Sequence, residues 1–202
     1  MNIHKNYKKY KRLTQEQVAS IGRMYEENIG QRAIARFLKI YIRAVQYHIE
    51  KLKKYKQMYK DIINSIKSRT TFVYLIIDEL YTFIRKKDNK AYIWSAIAVD
   101  TEGKQYYFYH LSRKKDNNAL IAFQKTLPEI NKVYCDGNMS YSSIFGEKAT
   151  MQKSVVTNLI ESLNSSLRSK ISYLTRKSDK HSKNFEFLDY KLANYFYRKN
   201  SI

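Results

Sequence analysis

Over residues 14–28 the apolar positions Val18, Ile21 and Tyr25 recur at helical spacing, which predicts a helix with one buried stripe. Thr14 followed three residues later by Gln17 is a capping-box start, and Gly30 ends the run. A short helix is expected over 31–38, with Ile34, Ala35 and Leu38 facing inward. After a turn at Lys39-Ile40-Tyr41 a third begins near Ile42, where Ile42, Val45, Ile49 and Leu52 share a face; residues 53–69 prolong it. From Thr71 the texture changes. Residues 71–78, 91–100 and 105–111 read as three strands of an antiparallel meander, joined by polar turns at 85–90 and 101–104. Residues 117–126 are helical and Pro128 stops them. A strand over 131–136, reached by a helical crossover, should lie parallel to the first. A short helix at 140–147, a strand at 150–154 and a long helix at 156–174 follow. The polar stretch 175–184 precedes a last amphipathic helix carrying Phe185, Leu188, Leu192 and Phe196.

This pattern divides the chain into a basic arm (1–12), a three-helix domain (13–55), a helical linker (56–70) and an α/β domain (71–202). The three helices read as a helix-turn-helix, whose last helix enters the DNA major groove. Arg43, Gln46, Tyr47 and Glu50 would face outward, with Lys51, Lys53 and Lys54 near phosphates; Arg and Gln suit guanine and adenine edges. The order β-β-β-α-β-α-β-α of the second domain is similar to a ribonuclease-H-like core, in which the first and fourth strands are neighbours.

That neighbourhood matters because each of those strands closes on an acid. Asp78 ends the run Phe72–Ile77, and Asp136 ends Val133-Tyr134-Cys135. A third acid, Glu161, stands on the long helix, with 24 residues between it and Asp136. The buried stripe there is Ile160, Leu163, Leu167, Ile171 and Leu174, so Glu161, Asn164 and Arg168 line its flank. A helix packed by its stripe aims that flank at the strand ends. Three gathered carboxylates repel one another unless a divalent cation neutralises them, and oxygen ligands suit Mg²⁺ or Mn²⁺. Such an acid set serves two ions that stabilise the attacking and leaving oxygens of an in-line displacement. Asn164 and Arg168 are placed to hold phosphate oxygens or to orient Glu161.

Charge narrows the substrate. The net charge is +20, with 17 Lys/Arg against 5 Asp/Glu in residues 1–70 and 21 against 13 in the remainder. Such a surplus favours a polyanion, here double-stranded DNA. One cysteine, Cys135, excludes an intrachain disulfide framework and a Cys-based zinc finger. No run approaches ~18 apolar residues and the first dozen are basic, so a membrane span and a secretory signal are not expected. The expected place is the cytoplasm, on the nucleoid.

Residues 78–202 resemble the catalytic domain of DDE transposases, specifically the insertion sequence 1 family. The resemblance rests on Asp78-Glu79-Leu80, on Asp136-Gly137 followed by Tyr141, on the short interval to the third acid, and on Glu161-Ser162-Leu163-Asn164-Ser165-Ser166-Leu167-Arg168. It implies metal-dependent cleavage and transfer of DNA strands at inverted-repeat ends, with Asp78, Asp136 and Glu161 holding the metals and a homo-oligomer forming on DNA. Two features depart from the family pattern: the Cys-rich module that commonly precedes the helix-turn-helix, and a histidine often found near the catalytic glutamate. The alternative reading is a DNA-binding regulator carrying an inactive, domesticated transposase domain.

Overall fold

The computed structural model describes residues 12–27, 29–136, 139–151, 155–174 and 182–201. Most of the basic arm, Gly137, part of the fifth strand and most of the polar stretch at 175–184 lie outside them. The chain divides into two compact units between Leu52 and Lys53.

The first unit holds three helices: α1 (Gln15–Glu26), α2 (Gln31–Phe37) and α3 (Ile42–Glu50). The capping box forms as the sequence predicts. The Thr14 hydroxyl accepts the Gln17 N–H, and the Gln17 side chain accepts the Thr14 N–H. Ile21 and Tyr25 of α1, Ile34 and Ala35 of α2, and Val45 and Ile49 of α3 are buried together as the small core. α2 ends in a Schellman motif, in which Ile40 N–H reaches the Ala35 carbonyl and Lys39 N–H that of Arg36. Lys39 carries the left-handed conformation this requires, with φ 53°, a strain of about 1 kcal/mol for a residue with a Cβ.

The helix expected to continue from the third is broken by a 3-10 turn at Lys51–Lys53 before α4 (Lys54–Arg69). α4 belongs to the second unit. Its Ile63 and Ile66 are buried, the Tyr59 hydroxyl accepts the Tyr109 N–H at 3.0 Å, and Lys56 pairs with Asp189 at 2.5 Å.

The second unit is mixed α/β. Its elements are β1 (Phe72–Ile84), β2 (Lys86–Asp100), β3 (Gln105–Ser112), α5 (Asn117–Gln124), β4 (Val133–Cys135), α6 (Met139–Phe145), β5 (Ala149–Met151), α7 (Val155–Lys170) and α8 (Phe185–Asn200). The strands form one sheet in the order β3-β2-β1-β4-β5. β1 and β2 are antiparallel, as are β2 and β3, whereas β4 runs parallel to β1 and β5 parallel to β4. The first and fourth strands are therefore neighbours, as their order along the chain suggests.

Strand alternation sorts two apolar layers onto the two faces. Leu75, Ile77, Trp94, Ala96 and Phe108 meet Leu120 and Phe123 of α5 and Tyr141 of α6. On the other face Ile76, Leu80, Ile93 and Ile97 meet Leu163 and Leu167 of α7 and Leu192 and Phe196 of α8. The edge strand β3 is covered rather than left open. The Asn200 side chain accepts the Tyr107 N–H and donates to the Tyr107 carbonyl, in the manner of an adjoining strand.

β1 does not stop at Asp78, where the sequence reading ends it. It continues to Ile84, and the turn expected over 85–90 shrinks to Arg85 alone (φ 64°), with Ile84 opposite Lys86. The reason lies beyond the strand itself. Leu80, Thr82 and Ile84 keep the inward alternation and are buried, while Arg85 N–H and its Nε are held by the carbonyls of Ser182 and Lys183. Likewise the helix expected to reach residue 174 ends at Lys170, and a 3-10 turn, Ser172–Leu174, completes it.

Candidate active site

β4 is only three residues long and pairs with Leu75 and Ile76 of β1. Beyond Ile77 the edge of β1 on that side has no β4 partner. Continuing the parallel register sets Asp136, just past the end of β4, beside Asp78. The two acids read from the strand ends are thus brought together by register and strand length.

The structure adds a carboxylate to them. Oxygens of Asp78, Glu79 and Asp136 all lie within 4.8 Å of one another. Asp78 and Glu79 are successive strand residues and leave β1 on opposite faces, yet an oxygen of each lies within 4.8 Å of the other and of Asp136. Asp78 and Glu79 are half-buried and Asp136 is exposed.

The Asp78 carboxylate is held at both oxygens. Oδ1 accepts the Glu79 N–H at 2.8 Å, and Oδ2 accepts the Asn164 amide at 2.5 Å. Asn164 is itself buried against the sheet. Its Oδ1 lies 3.3 Å from Ser95 Oγ, whose other neighbour at 3.3 Å is the Asp78 carbonyl. The Ser95 hydroxyl therefore orients the amide so that its N–H group faces the acid. Burial raises the Asp78 pKa to about 6; the charges of Glu79 and Asp136 push the same way, and the two hydrogen bonds oppose them.

Glu79 is held differently. Its Oε2 accepts the hydroxyl of Tyr141 at 2.7 Å, and its Oε1 is paired with the Lys115 ammonium. Tyr141 is fully buried, and burial together with Glu79 drives its phenol far above the ordinary range, so it stays a donor. Cys135, next to Asp136, is buried and its thiol is raised by burial, then by the Asp136 charge, which leaves it a poor nucleophile.

The remaining residues singled out by sequence fall as follows. Glu161 is exposed on α7 and lies outside the three-carboxylate cluster, one turn before Asn164 on the same flank. Arg168 is half-buried one turn beyond Asn164. α7 thus delivers Asn164 to Asp78, where an orienting role towards Glu161 or phosphate was expected. In the first unit Arg43, Gln46, Tyr47 and Lys51 are all exposed, and Lys51 Nζ sits 4.4 Å over the Tyr47 ring. A cavity of about 790 Å³ beside them is lined by Arg12, Gln17, Lys39, Tyr41, Arg43 and Tyr47, among others.

The sequence pattern assigns no role to Glu79, Lys115, Tyr141 or Ser95. Period-two alternation sends Glu79 away from Asp78, and only the end of β4 undoes that separation. Lys115 and Ser95 carry no local signal at all.

The donor set suits a hard divalent cation: all three groups are carboxylates gathered within 4.8 Å of one another. No described helix is long and apolar enough to cross a membrane. A family model described as IS1 transposase matches residues 71–201. Comparison with curated proteins gives no match.

Proposed function

Because the chain belongs to the IS1 transposase family, we propose that it binds the inverted-repeat ends of an insertion sequence and catalyses metal-dependent cleavage and transfer of DNA strands. The observation that carries this reading is the convergence of Asp78 and Asp136 at the β1/β4 junction, within a cluster that suits a cation. The domain is read as ribonuclease-H-like, in line with its five-stranded order and flanking helices.

In this reading Asp78 and Asp136 would hold two Mg²⁺ or Mn²⁺ ions, with Glu161, which lies outside the cluster, as the third carboxylate. Once bound, such ions neutralise charge at the phosphodiester and make water, then a DNA 3′-hydroxyl, a competent nucleophile. The protein's own part is positioning. Asn164 and the Glu79 N–H fix the Asp78 rotamer, and Ser95 fixes Asn164. Glu79, tied to Lys115 and Tyr141, braces the α6 side of the site. Arg168 lies along the same flank for a phosphate oxygen. No nucleophilic side chain takes part.

The first unit is read as the helix-turn-helix that recognises the element ends. α3 buries Val45 and Ile49 and exposes Arg43, Gln46 and Tyr47, the arrangement a recognition helix needs. Lys51 supplies a phosphate contact. Synapsis of two ends calls for a homo-oligomer on DNA, and the nucleoid in the cytoplasm is the corresponding place.

The test is a cleavage and strand-transfer assay on duplexes carrying the terminal repeats that flank the gene. Nicking at the repeat boundary that needs Mg²⁺ or Mn²⁺ is the expected result. Specific binding with no nicking under either metal would leave a DNA-binding regulator in its place.

A further inference from the structure

The outer half of the β1–β2 hairpin plays no part in the chemistry above, yet one of its faces is unusual. Leu80 and Ile84 turn into the α7/α8 layer, and the Thr82 hydroxyl donates to the Tyr173 carbonyl on that side. Alternation therefore sends Tyr81 and Phe83 to the other face, the face from which Glu79 projects. The register sets Tyr81 opposite Tyr92 and Phe83 opposite Lys90. Nearer the middle of the sheet this face is covered by α5 and α6. Beyond Glu79 the rings emerge. Tyr81 is 65% exposed, the most exposed large apolar side chain described in this unit, and meets Phe83 edge-on with centroids 5.7 Å apart.

Cations lie beside Tyr92, the cross-strand partner of Tyr81. Lys90, Tyr92, Arg113, Lys114 and Lys115 line a cavity of about 420 Å³, in which Asp88 is the one acid. The Arg113 guanidinium is steadied 4.3 Å over the Phe185 ring. Lys115 is also the ion-pair partner of Glu79, so the basic rim starts at the carboxylate cluster and runs outward along the hairpin.

An exposed tyrosine ring with half-buried aromatic neighbours, beside a row of cations, matches a ligand with flat apolar faces and a phosphate on every unit. A duplex offers the phosphates but hides the faces of its bases, whereas an unpaired strand offers both. We propose that this face of the hairpin is a stacking platform for an unpaired DNA strand running to or from the carboxylate cluster. Bases lie on Tyr81 and Tyr92, and phosphates meet Lys90, Lys114 and Arg113. The proposal deepens the nuclease reading of the same site and rests on it for the identity of the strand.

The test measures binding of the full chain to a labelled single-stranded oligonucleotide and to a duplex of equal length. EDTA is present throughout, so that no cleavage enters, and salt is varied. Tyr81→Ala should weaken single-strand binding about tenfold at every salt concentration, leave duplex binding unchanged, and be restored by Tyr81→Trp. Because the Tyr81 ring is exposed, that variant should melt like the parent chain. Lys90→Gln with Lys114→Gln should instead lower the salt slope, by about 0.7 for each phosphate no longer neutralised. Tyr81→Ala binding single strands like the parent, or losing single strand and duplex alike, overturns the platform. Failure of the nuclease reading appears separately, as absent Mg²⁺-dependent cleavage with this stacking signal intact.

Discussion

The two units build their candidate sites in opposite ways. In the first, Arg43, Gln46, Tyr47 and Lys51 occupy one stretch of nine residues, and α3 with the residue that caps its C-terminus is sufficient to turn them outward. In the second, Asp78, Ser95, Asp136 and Asn164 come from β1, β2, the end of β4 and α7, and meet only because the sheet is assembled. A site on one helix survives loosening of its neighbours. A site gathered from four elements is only as well ordered as the packing between them, and that packing is what holds mutually repelling carboxylates together.

The sharpest way to break this contrast is to remove an assembled acid. Asp136→Asn or Asp78→Asn should reduce cleavage about a thousandfold or more, the rate equivalent of losing several kcal/mol of charge stabilisation. Repeat-end binding should be unchanged in a mobility-shift assay, because the first unit does not depend on these groups. Joint loss of binding and cleavage would show that the two units are not separable in this way.

The third acid can be assigned by a paired experiment. Glu161→Gln should cut cleavage nearly as far as the aspartate variants. Glu79→Gln should retain most cleavage and lower the melting temperature by a few degrees, since Lys115 loses its anion. The reverse outcome would move the role to Glu79, the residue clustered with the two aspartates.

Support behind the acids should have an intermediate effect. Asn164→Ala leaves Asp78 Oδ2 without its amide and Ser95 without one neighbour. Metal affinity, read from the Mn²⁺ dependence of cleavage, should fall about 10- to 100-fold. Saturating Mn²⁺ should recover much of the rate, which an Asp78 variant should not do.

Changes confined to the first unit should be smallest. Arg43→Ala with Gln46→Ala should lessen discrimination between repeat and unrelated sequence by about 1–3 kcal/mol for each base pairing removed, with little change in non-specific affinity. Lys39→Gly should raise stability by about 1 kcal/mol in denaturant titration, since glycine takes a positive φ without strain. An unchanged or lowered midpoint would mean that the Lys39 side chain contributes more than its backbone strain removes.

Much of this molecule was legible along the chain. The capping box at Thr14, the stripes of α1, α3 and α7, and the parallel placing of β4 beside β1 all follow from periodicity and connection rules. These are local signals, or depend only on the order of elements. The length of β1 was not legible in the same way. A charged pair at Asp78-Glu79 reads as the end of a strand, and only burial of Leu80, Thr82 and Ile84 against other elements continues it.

Residue types and spacing alone determined that this chain carries strand-end acids, a flanking helix with Glu161, Asn164 and Arg168, and a basic three-helix unit. Only the tertiary structure decided which groups share a point in space. Glu79 joins the aspartates because β4 stops three residues after it begins, and Asn164 is the α7 residue that reaches Asp78 because of where that helix rests on the sheet. The physical reason is the same in both cases. Strand pairing and helix packing set relative positions to within an ångström or so, whereas periodicity along a chain specifies only the face from which a side chain leaves.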